Sequence, residues 1–73
     1  MEEPDRNMMR RIRKAVVDDT SLSTDAQNVK IISVNGHVTL KGPVSSSEEK
    51  RKIEAKAIAV AGKDNVANEL SVK

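Results

Sequence analysis

The stretch that most restricts the fold of this chain is Val29–Val44, VKIISVNGHVTLKGPV. Two runs of alternating side chains flank Asn35–Gly36. A two-residue type I′ turn needs φ > 0 at both central positions, which Asn followed by Gly tolerates best. That turn sets Val34 opposite His37, Ser33 opposite Val38, Ile31 opposite Leu40 and Val29 opposite Gly42. Because side chains alternate along a strand, one face carries Val29, Ile31, Ser33, Val38 and Leu40. The other carries Lys30, Ile32, Val34, His37, Thr39 and Lys41. The first face is the apolar one, and the rest of the chain must cover it.

The material for that cover is limited. A chain of 73 residues makes one small domain, and such a domain buries only roughly 60% of its unfolded surface. Without Phe, Trp or Tyr, the core must come from Val, Ile, Leu, Met and Ala. The same absence removes the aromatic platforms that usually hold single-stranded nucleic acid. Without Cys, disulfides, thiol chemistry and Cys-ligated metal are excluded. No apolar run approaches the ~18 residues of a membrane span, and no signal-peptide apolar region is visible.

Before the hairpin, Met8, Met9, Ile12, Ala15 and Val16 recur at helical spacing from Arg6 to about Asp18, filling an arc of about 120° centred on Ile12. Pro4 suits the first turn of this helix, and Glu2, Glu3 and Asp5 suit its positive end. Residues 18–28, DDTSLSTDAQN, favour turns and caps and read as an ordered loop plugged onto the core by Leu22. Beyond the hairpin, Gly42–Pro43 is expected to end regular pairing of the second strand. One of Ser45, Ser46 and Ser47 caps a second helix, Ser46 and Glu49 having the spacing of a capping box. Ile53, Ala57, Val60 and Ala61 form its inner face, and Gly62 is its expected left-handed stop. Val66, Asn68, Leu70 and Val72 then alternate as the inward side of a third strand.

The order is αββαβ. A right-handed crossover through the second helix makes strand 3 parallel to strand 2, giving an α+β fold with a three-stranded mixed sheet and two helices packed on one face. A single domain spans residues 1–73, with a core from about 6 to 73 and residues 1–5 a loose N-terminal segment.

The spacing Val29-x-Ile31, Asn35-Gly36-x-Val38-x-Leu40-x-Gly42-x-Val44, then Glu49, Gly62 and Val66-x-Asn68-x-Leu70-x-Val72 resembles the BON domain, named for osmotically induced and nodulation proteins of bacteria. The resemblance runs from about Arg10 to Val72. It implies an αββαβ fold, a periplasmic or envelope setting linked to osmotic stress, and a role in binding phospholipid surfaces. It brings no catalytic motif and no cofactor. Where the family usually follows the helix-ending glycine with a hydrophobic residue, this chain has Lys63, so a looser approach to strand 3 is expected, with Val66 as its first anchor.

Helix 1 carries Arg6, Arg10, Arg11, Arg13 and Lys14. Four of them, Arg6, Arg10, Arg13 and Lys14, gather within about 100° with Val17 in their midst. This stripe is either a solvated helix face or a lipid-binding patch, in which cations meet phosphates and Val17 enters the headgroup layer. Ile32 and Val34 lie on the sheet face that no helix is expected to cover. Ile58 lies about 140° from Ile53 around helix 2, either wedged against helix 1 or a loop or part of a contact surface. These three are the candidate partner-binding residues. His37 stands alone, Asp18, Asp19 and Asp25 lack EF-hand spacing, and Ser45–Ser47 lack an activating base, so neither a metal site nor an active site is expected.

Three functions compete. The first is a non-enzymatic envelope module on anionic phospholipid, contacting it through helix 1. The second is a protein-interaction module that docks another domain of a longer chain, or a separate partner, through the open sheet face or a free edge. The third, nucleic-acid binding of the KH type, is disfavoured by the missing GxxG loop and aromatics.

Overall fold

A computed structural model describes the backbone of residues 3–73 and the side chains of residues 5–73. The hairpin is built as its turn chemistry dictates. Strands β1 (Lys30–Val34) and β2 (His37–Val44) pair antiparallel with Ile31 opposite Leu40 and Val34 opposite His37. Asn35 and Gly36 have φ of 53° and 82°, both positive as a type I′ turn requires. Gly36→Val is expected to cost roughly 1–2 kcal/mol or more, because a Cβ, and a branched one above all, resists this backbone conformation. Chemical denaturation of the variant, read as a shift in midpoint at constant slope, measures the loss.

Contrary to the expected end of pairing at Gly42–Pro43, β2 continues to Val44, which is fully buried. In a two-residue hairpin the flanking pair exchanges hydrogen bonds, so the amides of His37, Thr39 and Lys41 point toward β1. Pro43 follows in that alternation, but β1 ends where Lys30 pairs with Lys41, so the N–H that proline lacks has no partner to lose. At Gly42 φ is +133°, and a Cβ would stand 3.4 Å from Val29 Cα.

Strand β3 (Val66–Val72) lies parallel to β2, with Val38 beside Val66 and Val44 beside Val72, in a sheet ordered β1-β2-β3. Helices α1 (Glu3–Asp18) and α3 (Ser47–Ala61) pack on the apolar face. Ile12 and Val16 from α1, and Ile53 and Ala57 from α3, join Val29, Ile31, Val38, Leu40 and Leu70 in one core. Val60 is half-buried against it. Val72, expected in the core, is 45% exposed: alternation points it inward, but it is the last residue of an edge strand.

Other differences concern the joints between elements. Residues 18–28 are not loop throughout, for they contain a short helix, α2 (Thr24–Gln27), with the Ser23 hydroxyl accepting from Ala26 N at its N-cap. Leu22 is buried as expected, and Ala26 joins it in the core. The first helix begins at Glu3, so residues 3–5 are helical rather than loose, while Glu2 and the side chains of Glu3 and Pro4 lie outside what is described. Gly62 ends α3 with φ 93° and ψ 148°, a glycine conformation but not the left-handed helical one. A 3-10 turn, Lys63–Asn65, follows, and Asn65 Nδ2 donates to the Ala61 carbonyl at 2.8 Å. That bond orders the approach to β3 where an apolar anchor after Gly62 is lacking.

Candidate membrane-contact surface

Helix α1 runs antiparallel to β1 because polar contacts hold it at both ends. Near its start, the Asp5 carboxylate accepts from Ser33 Oγ at 3.0 Å, Asn35 N at 3.0 Å and Gly36 N at 2.9 Å. These bonds, the one from Gly36 N foremost, hold its pKa below the usual value. They also account for Ser33, the polar member of the core face, being fully buried. Asp5 is thus more than a charge at the helix's positive end. Near the other end, the Arg13 guanidinium donates to the Gln27 carbonyl at 2.8 Å and the Val29 carbonyl at 2.5 Å.

Arg13 therefore does not face solvent with the rest of the stripe. It sits at the rim of the arc nearest Met9, where a long side chain can fold back onto the β1 edge. Arg6, Arg10, Lys14 and Val17 remain along the outer face, all exposed, and Val17 is 50% exposed. Lys14 Nζ lies 2.8 Å from Asp18 Oδ2, and that hydrogen bond, with the attached Coulombic attraction, raises the Lys14 pKa. Both groups are well exposed, so the pair only lessens the local positive field. Arg10 and Arg11 have no charged partner among the described residues.

The second candidate surface is the uncovered face of the sheet. Ile32, Thr39 and Ala67 line up across the three strands, and Val34 beside them is 57% exposed. Lys30 and Lys41 border them, Lys41 Nζ lying 3.9 Å from Glu69 Oε1. Ile58 does not belong to this surface, because α3 packs on the opposite side of the sheet. Lys52 and Lys56, which reach Ser21 and Asp19, mark the flank of α3 toward the end of α1. Ile58 is half-buried and lies about 160° from Lys56 around the helix, on the flank of α3 away from Lys52 and Lys56.

The sequence reading foresees only part of the role of Glu49, its place in a capping box with Ser46. Glu49 accepts from Ser45 N and Oγ at 2.9 and 2.6 Å and from Ser23 N and Oγ at 2.6 and 2.9 Å. Only half of the expected capping box forms: Glu49 N donates to Ser46 Oγ at 3.2 Å, while the Glu49 carboxylate joins the starts of α2 and α3. The Ser45 hydroxyl first, then the amides of Ser45 and Ser23, lower its pKa to about 2. Asp19 is likewise held at about 2, chiefly by the Ser21 hydroxyl and then by Lys56. Carboxylates this acidic are poor proton acceptors, and the serines around Glu49 are hydrogen-bond donors to it. Among the described residues no cluster of His, Cys, Asp and Glu could hold a metal ion, and His37 is exposed at the turn. No described helix is long and apolar enough to cross a membrane.

What the surface offers is cations and one exposed valine on a helix fixed to its sheet from behind, an arrangement for contact with an anionic layer or partner. A search of curated proteins found no match. The BON domain family model matches residues 4–73, which takes in the hairpin, both long helices, the parallel third strand and nearly all of the described chain. With the αββαβ core in place around that match, the chain belongs to the BON domain family, whose members are binding-type rather than catalytic domains associated with phospholipid and the envelope-stress response.

Proposed function

We propose that this domain is a non-enzymatic module of the bacterial envelope, in the periplasm, that lies on anionic phospholipid surfaces through α1. The observation that carries this reading is Val17, half-exposed amid the exposed Arg6, Arg10 and Lys14 on the outer face of a helix whose inner side is tied to β1. Each basic side chain near an anionic surface contributes roughly 1 kcal/mol, and Lys14 less while paired with Asp18. The contact is peripheral and reversible. A second reading, docking of a protein partner on the open sheet face, is favoured by the exposure of Val34 beside Ile32.

Co-sedimentation with liposomes separates the two. Binding is expected to anionic vesicles and not to neutral ones, and to fade with added salt, because exposed charges are screened over ~8 Å at physiological ionic strength. Arg10→Glu with Lys14→Glu is expected to abolish binding without unfolding the domain. Val17→Ser should weaken it less, by roughly 1 kcal/mol, since half of the side chain is already covered. Binding that survives the double reversal but is lost with Val34→Glu would assign the contact to the sheet face.

A further inference from the structure

Between α1 and β1 lies an open cavity of about 250 Å³ lined by Met9, Arg10, Arg13 and Ile31. Its walls are mainly apolar. Ile31 supplies one, Met9 supplies a flexible thioether that adapts to an occupant, and Arg13 supplies its methylene stem, its guanidinium being fixed to the Gln27 and Val29 carbonyls. Arg10 is exposed and has no partner among the described residues. The cavity thus presents one available cation beside an apolar hollow. Its volume falls below the ~300–1,000 Å³ of pockets that enclose whole small molecules, which suits part of a ligand.

We infer that this cavity takes the glycerol-proximal methylenes of one acyl chain of an anionic phospholipid, whose headgroup phosphate pairs with Arg10. The inference rests on the membrane-contact reading of α1 and adds a discrete lipid site to it. The alternative occupant, an extended peptide added to the β1 edge, finds little to bind. The alternation that sends the amides of Lys30, Ile32 and Val34 to β2 turns the backbone groups of Val29, Ile31 and Ser33 outward. Of these, the Val29 carbonyl is taken by Arg13 and Ser33 is wholly buried. Only the Ile31 backbone groups are left on this edge, too few for a paired strand, and an apolar hollow beside a guanidinium matches an alkyl chain with an anionic head.

The test is methyl NMR with dihexanoyl phosphatidylglycerol below its micelle concentration, and with glycerol phosphate as the same headgroup chemistry without chains. Saturable shifts are expected at the Met9 ε-methyl and Ile31 δ-methyl with the lipid and not with glycerol phosphate. Arg10→Glu should weaken that binding about tenfold or more, as loss of a charge-assisted hydrogen bond does, while Lys14→Glu leaves the Met9 and Ile31 shifts in place. Shifts confined to Val17 and its neighbours, or equal with glycerol phosphate, would overturn the site even if liposome binding is real. A lipid that leaves both methyls unmoved, where an acidic peptide carrying leucine moves them, would give the cavity to a protein partner. Conversely, lipid shifts at Met9 and Ile31 in a domain that fails to bind liposomes would keep the site and refute the membrane-surface reading.

Discussion

Leu40→Ala is expected to lower the unfolding free energy by about 2–5 kcal/mol, the range for truncating a large aliphatic side chain in a packed core. Leu40 is wholly buried at the centre of the sheet, on the middle strand, opposite Ile31 and beside Asn68. With no aromatic residue in the chain, no large neighbour stands ready to fill the hole. Small domains have only about 5–15 kcal/mol of stability in total, so the variant should lose a large share of it and melt at a clearly lower temperature. Thermal and denaturant melts measure this directly. An unchanged midpoint would mean that the sheet's buried face is wrongly assigned.

Glu49 is the polar counterpart of Leu40. Its carboxylate is the acceptor for two amides and two hydroxyls drawn from two loops. Its pKa in the folded domain is lowered from 4.5 to about 2. The sign of the linkage follows: the unfolded chain binds the proton first, so this carboxylate's contribution is complete above pH 4.5 and declines as pH falls toward 2. Asp19, lowered from 3.8 to about 2, adds in the same direction over a slightly narrower window. Glu49→Gln is expected to lower the melting temperature at pH 7 and to flatten its fall between pH 5 and pH 2, since the amide cannot titrate and presents donors where acceptors are needed. Parallel melts of the two proteins across that range would differ at pH 7 and converge at pH 2. Curves that stay a constant distance apart would show that the charge of Glu49 is not what stabilises the junction.

The hairpin was fully legible because its determinants are adjacent: Asn35–Gly36 sets the turn, and a period of two assigns each side chain to a face. The third strand was legible for the same reason, except at Val72, where alternation states direction but not whether anything lies overhead. Helix α2 was missed because four residues carry no measurable periodicity, and its cap is a serine among several. At Gly62 the sequence showed that a glycine conformation was needed, but not which one, since φ and ψ there depend on how Asn65 folds back to Ala61.

The candidate surface divides in the same way. Helical spacing alone placed Arg6, Arg10, Lys14 and Val17 on one face, and local geometry is enough for that. Only the tertiary structure decided that Arg13 leaves this face, for the carbonyls it binds belong to residues 14 and 16 positions further along the chain. The same holds for Asp5, whose partners are 28 to 31 residues away, and for Glu49, which reaches Ser23 across 26. A wheel or an alternation says where a side chain leaves the backbone. What a long polar side chain then bonds to depends on which backbone groups packing has brought near and left without a partner.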